Sequence, residues 1–139
     1  MYYSELVKKA MKISFEAHIG DHDKCGYPYF AHPLTVAMNF DDEAAVCVAL
    51  LHDVVEDHPN QYSFAFFEKE GFPEEIVTAL KILTKPKEAD YLEYIKSVKT
   101  NELARRVKLA DLKHNMDLSR GLVPPKYPLY LKAVEILEK

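Results

Sequence analysis

Glycine is scarce, with only 4 in 139 residues, and stretches of valine alternating with polar residues are nearly missing. Both scarcities count against an all-β chain, whose tight turns and half-buried strands draw on those residues. Cysteine occurs twice, as Cys25 and Cys47, with no CxxC spacing, so both read as reduced thiols and not as metal or disulfide partners. Basic charge is not in excess. With 18 Lys and Arg against 22 Asp and Glu, the formal net charge is -4, which argues against a general binder of nucleic-acid polymers. Long apolar runs are absent too. The opening MYYSELVKKAMKISFEAH lacks the continuous apolar centre of a signal peptide, and the longest apolar run, Ala44 to Leu51, is far shorter than a membrane span. The expectation is a cytoplasmic protein with no membrane partner. A chain of this length is most simply one domain over residues 1–139.

What is present is helical patterning. Ser4 can cap a first helix whose Leu6, Ala10, Ile13 and Ala17 recur at helical spacing, ending near Gly20. Residues 21–31 hold Gly, Pro and Asp and read as a loop, and Pro33 suits the first turn of a helix through PLTVAMNF. Asp41 or Asp42 can cap one continuous helix, DEAAVCVALLHDVVED, apolar nearly all round and therefore central. Further helices are expected over SFAFFEKE, PEEIVTALKILT and DYLEYIKSV. Another runs from Asn101 to a stop at Gly121, and after a proline-rich break YLKAVEILEK forms the last. The fold class is all-α, a single-domain helical bundle.

Within LLHDVVED, spacing of four puts His52 over Glu56 and Asp53 over Asp57 on an uninterrupted helix. Asp111 and Asn115 are also four apart, with Lys108 one turn earlier, and His32 opens its own helix. If these helices meet, imidazoles and carboxylates converge, and a divalent cation is what keeps gathered carboxylates ionised. Mixed nitrogen and oxygen donors suit Mn²⁺, Fe²⁺, Zn²⁺ or Co²⁺ better than calcium. A lone His-Asp pair carries little weight by itself. Acids at a helix C-terminus, however, oppose the helix dipole and call for a stabilising partner.

AHPLTVA, LLHDVVED and KLADLKHNM, in this order, resemble the HD-domain metal-dependent phosphohydrolases, most closely the hydrolase domain of the Rel/Spo alarmone enzymes and their small stand-alone relatives. The resemblance runs over about residues 15 to 120 and includes the loop HIGDHDKCGYPYFAHP. It implies an HD-type bundle in which His32, His52, Asp53 and Asp111 ligate a divalent metal, usually Mn²⁺ in that family. It implies catalytic roles for Glu56 and Asp57 beside the attacking water. It places Lys24, Lys108 and Asn115 toward the substrate, a nucleotide or other phosphorylated small molecule. The activity implied is hydrolysis of the 3′-pyrophosphate of (p)ppGpp-like nucleotides.

Departures lie at Asp23, where the family has a basic residue, at Tyr27 in place of a common Glu, and in the short segment between HDVVED and KLAD. They leave open a phosphohydrolase acting on another nucleotide or phosphorylated metabolite, and a non-catalytic metal-containing binding module. The oligomeric state is left open as well. His18, His22, His58 and His114 read mainly as ordinary polar residues, with His114 packing or capping its helix. Tyr27, Tyr29 and Phe30 fit loop packing at least as well as stacking on a base, and Arg105 and Arg106 read as a solvated helix face.

Overall fold

The computed structural model describes residues 1–139. Its helices are α1 (Glu5–Ala17), α2 (Ala31–Ala37), α3 (Glu43–Leu51), α4 (Val54–Asp57), α5 (Phe64–Lys69), α6 (Glu74–Leu83), α7 (Tyr91–Lys99), α8 (Glu102–Asn115) and α9 (Tyr127–Glu138). A 3₁₀ turn, Leu118–Arg120, precedes α9. No strand forms. The only extended pairing is an isolated antiparallel bridge between His22 and Pro28, which closes the loop ahead of α2.

Side-chain caps explain where most helices begin. Ser4, Asp42, Ser63, Asp90 and Asn101 each accept a backbone N–H from the first turn of the helix they precede. Each bond satisfies one of the orphan donors at a helix start. Asp42 is doubly used, because Arg106 on α8 donates to its carboxylate at 2.7 Å. Arg106 is therefore tied to α3 and is more than a solvated face.

α3 is the centre of the molecule. Every residue from Ala45 to Leu51 is buried, and the helix packs against α1, α2, α6 and α8. Leu50 and Leu51 have no solvent-accessible surface, in one continuous core of 32 residues. Truncating either leucine to alanine should cost about 2–5 kcal/mol. A helix apolar all round is stable only when surrounded, so the sequence pattern and the central position agree.

Four boundaries differ from the sequence expectation. DEAAVCVALLHDVVED is two helices, because the ladder stops at Leu51 and resumes at Val54, with His52 and Asp53 in the gap. The His52 ring takes the Ala49 carbonyl at 2.6 Å, an acceptor that an unbroken helix assigns to the amide of residue 53. His52 therefore turns into the interior while Glu56 stays at the surface, and the two do not form one continuous stripe. α2 begins at Ala31, ahead of Pro33. α8 stops at Asn115, and Gly121 (φ +105°) ends the 3₁₀ turn instead. α9 starts at Tyr127, with Pro128 in its first turn, where a missing N–H costs nothing.

Candidate metal centre and substrate cavity

Four side chains from three separate stretches meet beside the end of α3. Donor atoms of His32, His52, Asp53 and Asp111 all lie within 4.8 Å of one another. His32 comes from the first turn of α2, His52 and Asp53 from the break after α3, and Asp111 from α8. His32 Nε2 is 2.7 Å from Asp111 Oδ1 and 3.8 Å from Asp53 Oδ2. His52 Nε2 is 3.1 Å from Asp53 Oδ2 and 3.3 Å from Asp111 Oδ1. His32, His52 and Asp111 are buried and Asp53 is nearly so.

Further contacts hold each of these four side chains in place. A carbonyl can only accept, so His52 Nδ1 carries the hydrogen bonded to Ala49, and Nε2 is the nitrogen turned to the cluster. His32 Nδ1 lies 2.7 Å from His114 Nδ1, with the two rings almost coplanar. For His32 Nε2 to serve as a ligand, its Nδ1–H must donate to an unprotonated His114 Nδ1. Burial, and then the charges of His32 and Arg120, push the His114 imidazole down to about 4, so it is neutral at pH 7. His114 thus supports His32 directly. Tyr29 donates its hydroxyl to Asp53 Oδ2 at 2.7 Å, and burial and Asp53 together raise its pKa, so the phenol proton stays in place. Lys108 donates to Asp111 Oδ2 at 2.9 Å, and Asn115 donates to Asp111 Oδ1 at 3.3 Å.

Electrostatics favour a cation at the meeting point. Burial alone would raise the Asp111 carboxyl, but Lys108 and the His52 and His32 rings outweigh it and hold the pKa well below the usual range. Burial opposes charge on His52, yet Asp53 and Asp111 pull its pKa well up. The site therefore demands positive charge where two carboxylates converge. Two imidazole nitrogens and two carboxylates, with the outer nitrogen of each ring and the outer oxygen of Asp111 already engaged, fit a divalent ion, which meets that demand without a proton.

Glu56 and Asp57 sit on one flank. Both reach solvent and rim a recess shared with Asp21, Tyr29 and His58. Burial, then Asp53, raises the Glu56 carboxyl. Burial, Asp53 and Glu56 push Asp57 up to about 6. On another flank a cavity of about 380 Å³ is lined by Lys24, His32, Asn115 and Arg120, among others. Tyr29 borders both spaces. Lys24 and Asn115 thus face the cavity, whereas Lys108 is not among its lining residues and is bound to Asp111.

Three contributors escaped the sequence reading. Tyr29 and His114 are described above. Arg120 donates to Asp23 Oδ2 at 2.8 Å and to the His114 carbonyl at 3.1 Å. The acid at position 23 therefore orients a guanidinium drawn from the other end of the chain. Two of the three carried a signal: Tyr29 stands three residues before His32, and His114 three residues after Asp111.

Known proteins resemble this chain over most of its length. The HD domain family model matches residues 29–116. The putative GTP diphosphokinase RSH1, chloroplastic, of Arabidopsis thaliana is 36% identical over 144 residues, covering 88% of this chain and 16% of the relative. The guanosine-3′,5′-bis(diphosphate) 3′-pyrophosphohydrolase of Haemophilus influenzae is 36% identical over 127 residues, covering 82% of this chain and 19% of the relative. The chain thus spans under a fifth of the length of these curated relatives. A solved structure, described as a metazoan ortholog of SpoT that hydrolyzes ppGpp and plays a role in starvation responses, superposes with a TM-score of 0.76 at 24% identity, over 99% of this chain and 85% of the other. That likeness confirms the helical fold.

Proposed function

The chain belongs to the HD-domain family, and from that premise we propose that it is a divalent-metal-dependent hydrolase of (p)ppGpp-type nucleotides, releasing the 3′-pyrophosphate. The observation that carries this reading is the convergence of His32, His52, Asp53 and Asp111 between two spaces. One holds an acid pair and the other basic and amide side chains.

These four residues would hold the ion, and Mn²⁺ suits their mixed donors. When bound, the ion supplies Lewis-acid charge to a phosphoryl oxygen and makes water a better nucleophile near neutral pH. The remaining work belongs to side chains. Glu56, on the acid flank, accepts the proton of the attacking water, and Asp57 shares or relays it. Their raised carboxyl pKa values suit proton acceptance near neutrality. Lys24 and Arg120 meet phosphate oxygens in the cavity, and Asn115 hydrogen-bonds the substrate from the same wall. Lys108 serves the reaction through Asp111, fixing the second oxygen so that the first faces the two imidazoles.

A different nucleotide is the second reading, favoured because Arg120 already spends part of its charge on Asp23. Purified protein with added Mn²⁺ and a panel of guanosine and adenosine nucleotides separates the two. Pyrophosphate release confined to ppGpp and pppGpp supports the first. Turnover of other phosphorylated nucleotides with ppGpp untouched refutes it.

A further inference from the structure

We propose that His18, Asp21 and His58 form a second divalent-metal site, distinct from the four-residue cluster and entered through the recess that Glu56 and Asp57 line. The three are brought together by two helix ends. His18 caps the C-terminus of α1, His58 caps that of α4, and Asp21 stands in the turn between α1 and α2. One donor atom from each lies within 4.8 Å of the other two.

One of the two distances already matches an ion, and the other must open to admit one. Around an ion with ligands at ~2.0–2.1 Å, tetrahedral donors stand roughly 3.3 Å apart. His18 Nδ1 already lies 3.4 Å from Asp21 Oδ2, which is long for a hydrogen bond. His58 Nε2 lies 2.7 Å from the same oxygen, so admission of an ion needs that pair to open by roughly 0.6 Å. His18 has a fully buried side chain and turns Nδ1 toward Asp21, so that nitrogen is the one it offers to an ion.

Charge and access point the same way. The recess presents three carboxylates, Asp21, Glu56 and Asp57, and no lysine or arginine among its lining residues. A cation there offsets a local excess of negative charge. Asp21 and His58 are 35% and 28% exposed while the His18 side chain is fully buried, so an ion would enter from the Asp21 and His58 side. Two imidazoles and one carboxylate with open coordination positions select Zn²⁺, Co²⁺ or Ni²⁺ over calcium or magnesium. Nothing here depends on the chain being a hydrolase.

The test is metal stoichiometry, with Zn²⁺ or Co²⁺ titrated by equilibrium dialysis into tag-free, chelator-stripped full-length protein. Wild type should take up two equivalents. Asp21→Asn keeps an oxygen to accept from both rings, so the fold is retained, but the charged ligand is gone and one equivalent should weaken by more than about tenfold. His58→Gln, at a half-exposed position, should do the same. Asp53→Asn should keep the second equivalent while losing the first. A wild-type chain that takes up one equivalent overturns the proposal, as do Asp21→Asn and His58→Gln chains that both still take up two. Hydrolytic activity plays no part in this readout, so failure of the hydrolase reading leaves it untouched.

Discussion

Replacing Lys108 by methionine keeps the length and apolar stem of the side chain and deletes its ammonium. In the native protein that ammonium lies 2.9 Å from Asp111 Oδ2, with 15% and 5% of the two side chains exposed. It also stands 5.6 Å from the centroid of the Tyr94 ring. Removing one partner of a buried pair costs about 3–5 kcal/mol, because the other charge is left uncompensated. Here Asn115 still donates to the opposite oxygen and the His32 and His52 rings stay beside it, which brings the loss just below that range, to ~2–3 kcal/mol. For a chain of 139 residues that corresponds to a fall in Tm of roughly 8–12 °C.

The ion itself alters the outcome. A divalent charge beside Asp111 takes over the compensation, so the loss in saturating Mn²⁺ should shrink to about 1 kcal/mol. Urea unfolding at pH 7.5, with EDTA and then with Mn²⁺, measures both numbers. A double-mutant cycle with Asp111→Asn should show coupling of at least ~1 kcal/mol in EDTA. A loss below about 1 kcal/mol without metal, or an equal loss with and without it, refutes the reasoning. A rise in KM for the nucleotide at saturating metal, with stability unchanged, would move Lys108 from holding Asp111 to touching substrate.

Glu56→Gln should keep the metal and lose hydrolysis by about 10²–10⁴-fold; elemental analysis beside a pyrophosphate-release assay checks this, and unchanged turnover removes Glu56 from the chemistry. Asp42→Asn retains an oxygen for the Ala45 amide and loses charge toward Arg106, so it should cost ~0.2–1 kcal/mol, whereas Asp42→Ala should cost about 1 kcal/mol more. The Arg106 bond, outweighing slight burial, lowers the folded Asp42 pKa below its unfolded value. That contribution is therefore present above pH ~4 and lost as pH falls through the lowered value, and acid unfolding of Asp42→Asn should be correspondingly less steep. Burial, reinforced by Glu43, pushes the Cys47 thiol up to about 12. Iodoacetamide at pH 8 should label Cys25 alone in native protein and both thiols in urea, as read by intact mass.

Local chemistry made the helices legible, and long-range chemistry hid part of the site. Ser4, Asp42, Ser63, Asp90 and Asn101 announce helix starts because a cap needs only its own first turn. The run Ala44 to Leu51 announces a central helix because no surface helix tolerates apolar residues all round. The gap at His52 was not readable, since it depends on a ring that returns to its own backbone only when the cluster assembles. The partnerships of His114 and Arg120 were equally hidden. Their partners His32 and Asp23 lie 82 and 97 positions away, and no spacing rule relates residues so distant. The four cluster residues were found through their motifs, whereas the cluster His18, Asp21 and His58 has no comparable signature and emerges only from folded distances.

If His52 holds an ion as proposed, the attachment of its ring to the Ala49 carbonyl fuses two things usually considered apart, the grip on that ion and the winding of the main chain. The imidazole cannot swing away without releasing that carbonyl, and the chain cannot rewind across residues 52 and 53 without taking the carbonyl back. Unravelling of this turn and departure of the ion therefore become one concerted opening. The exchange rate of the amides around the end of α3 should then track occupancy of the centre.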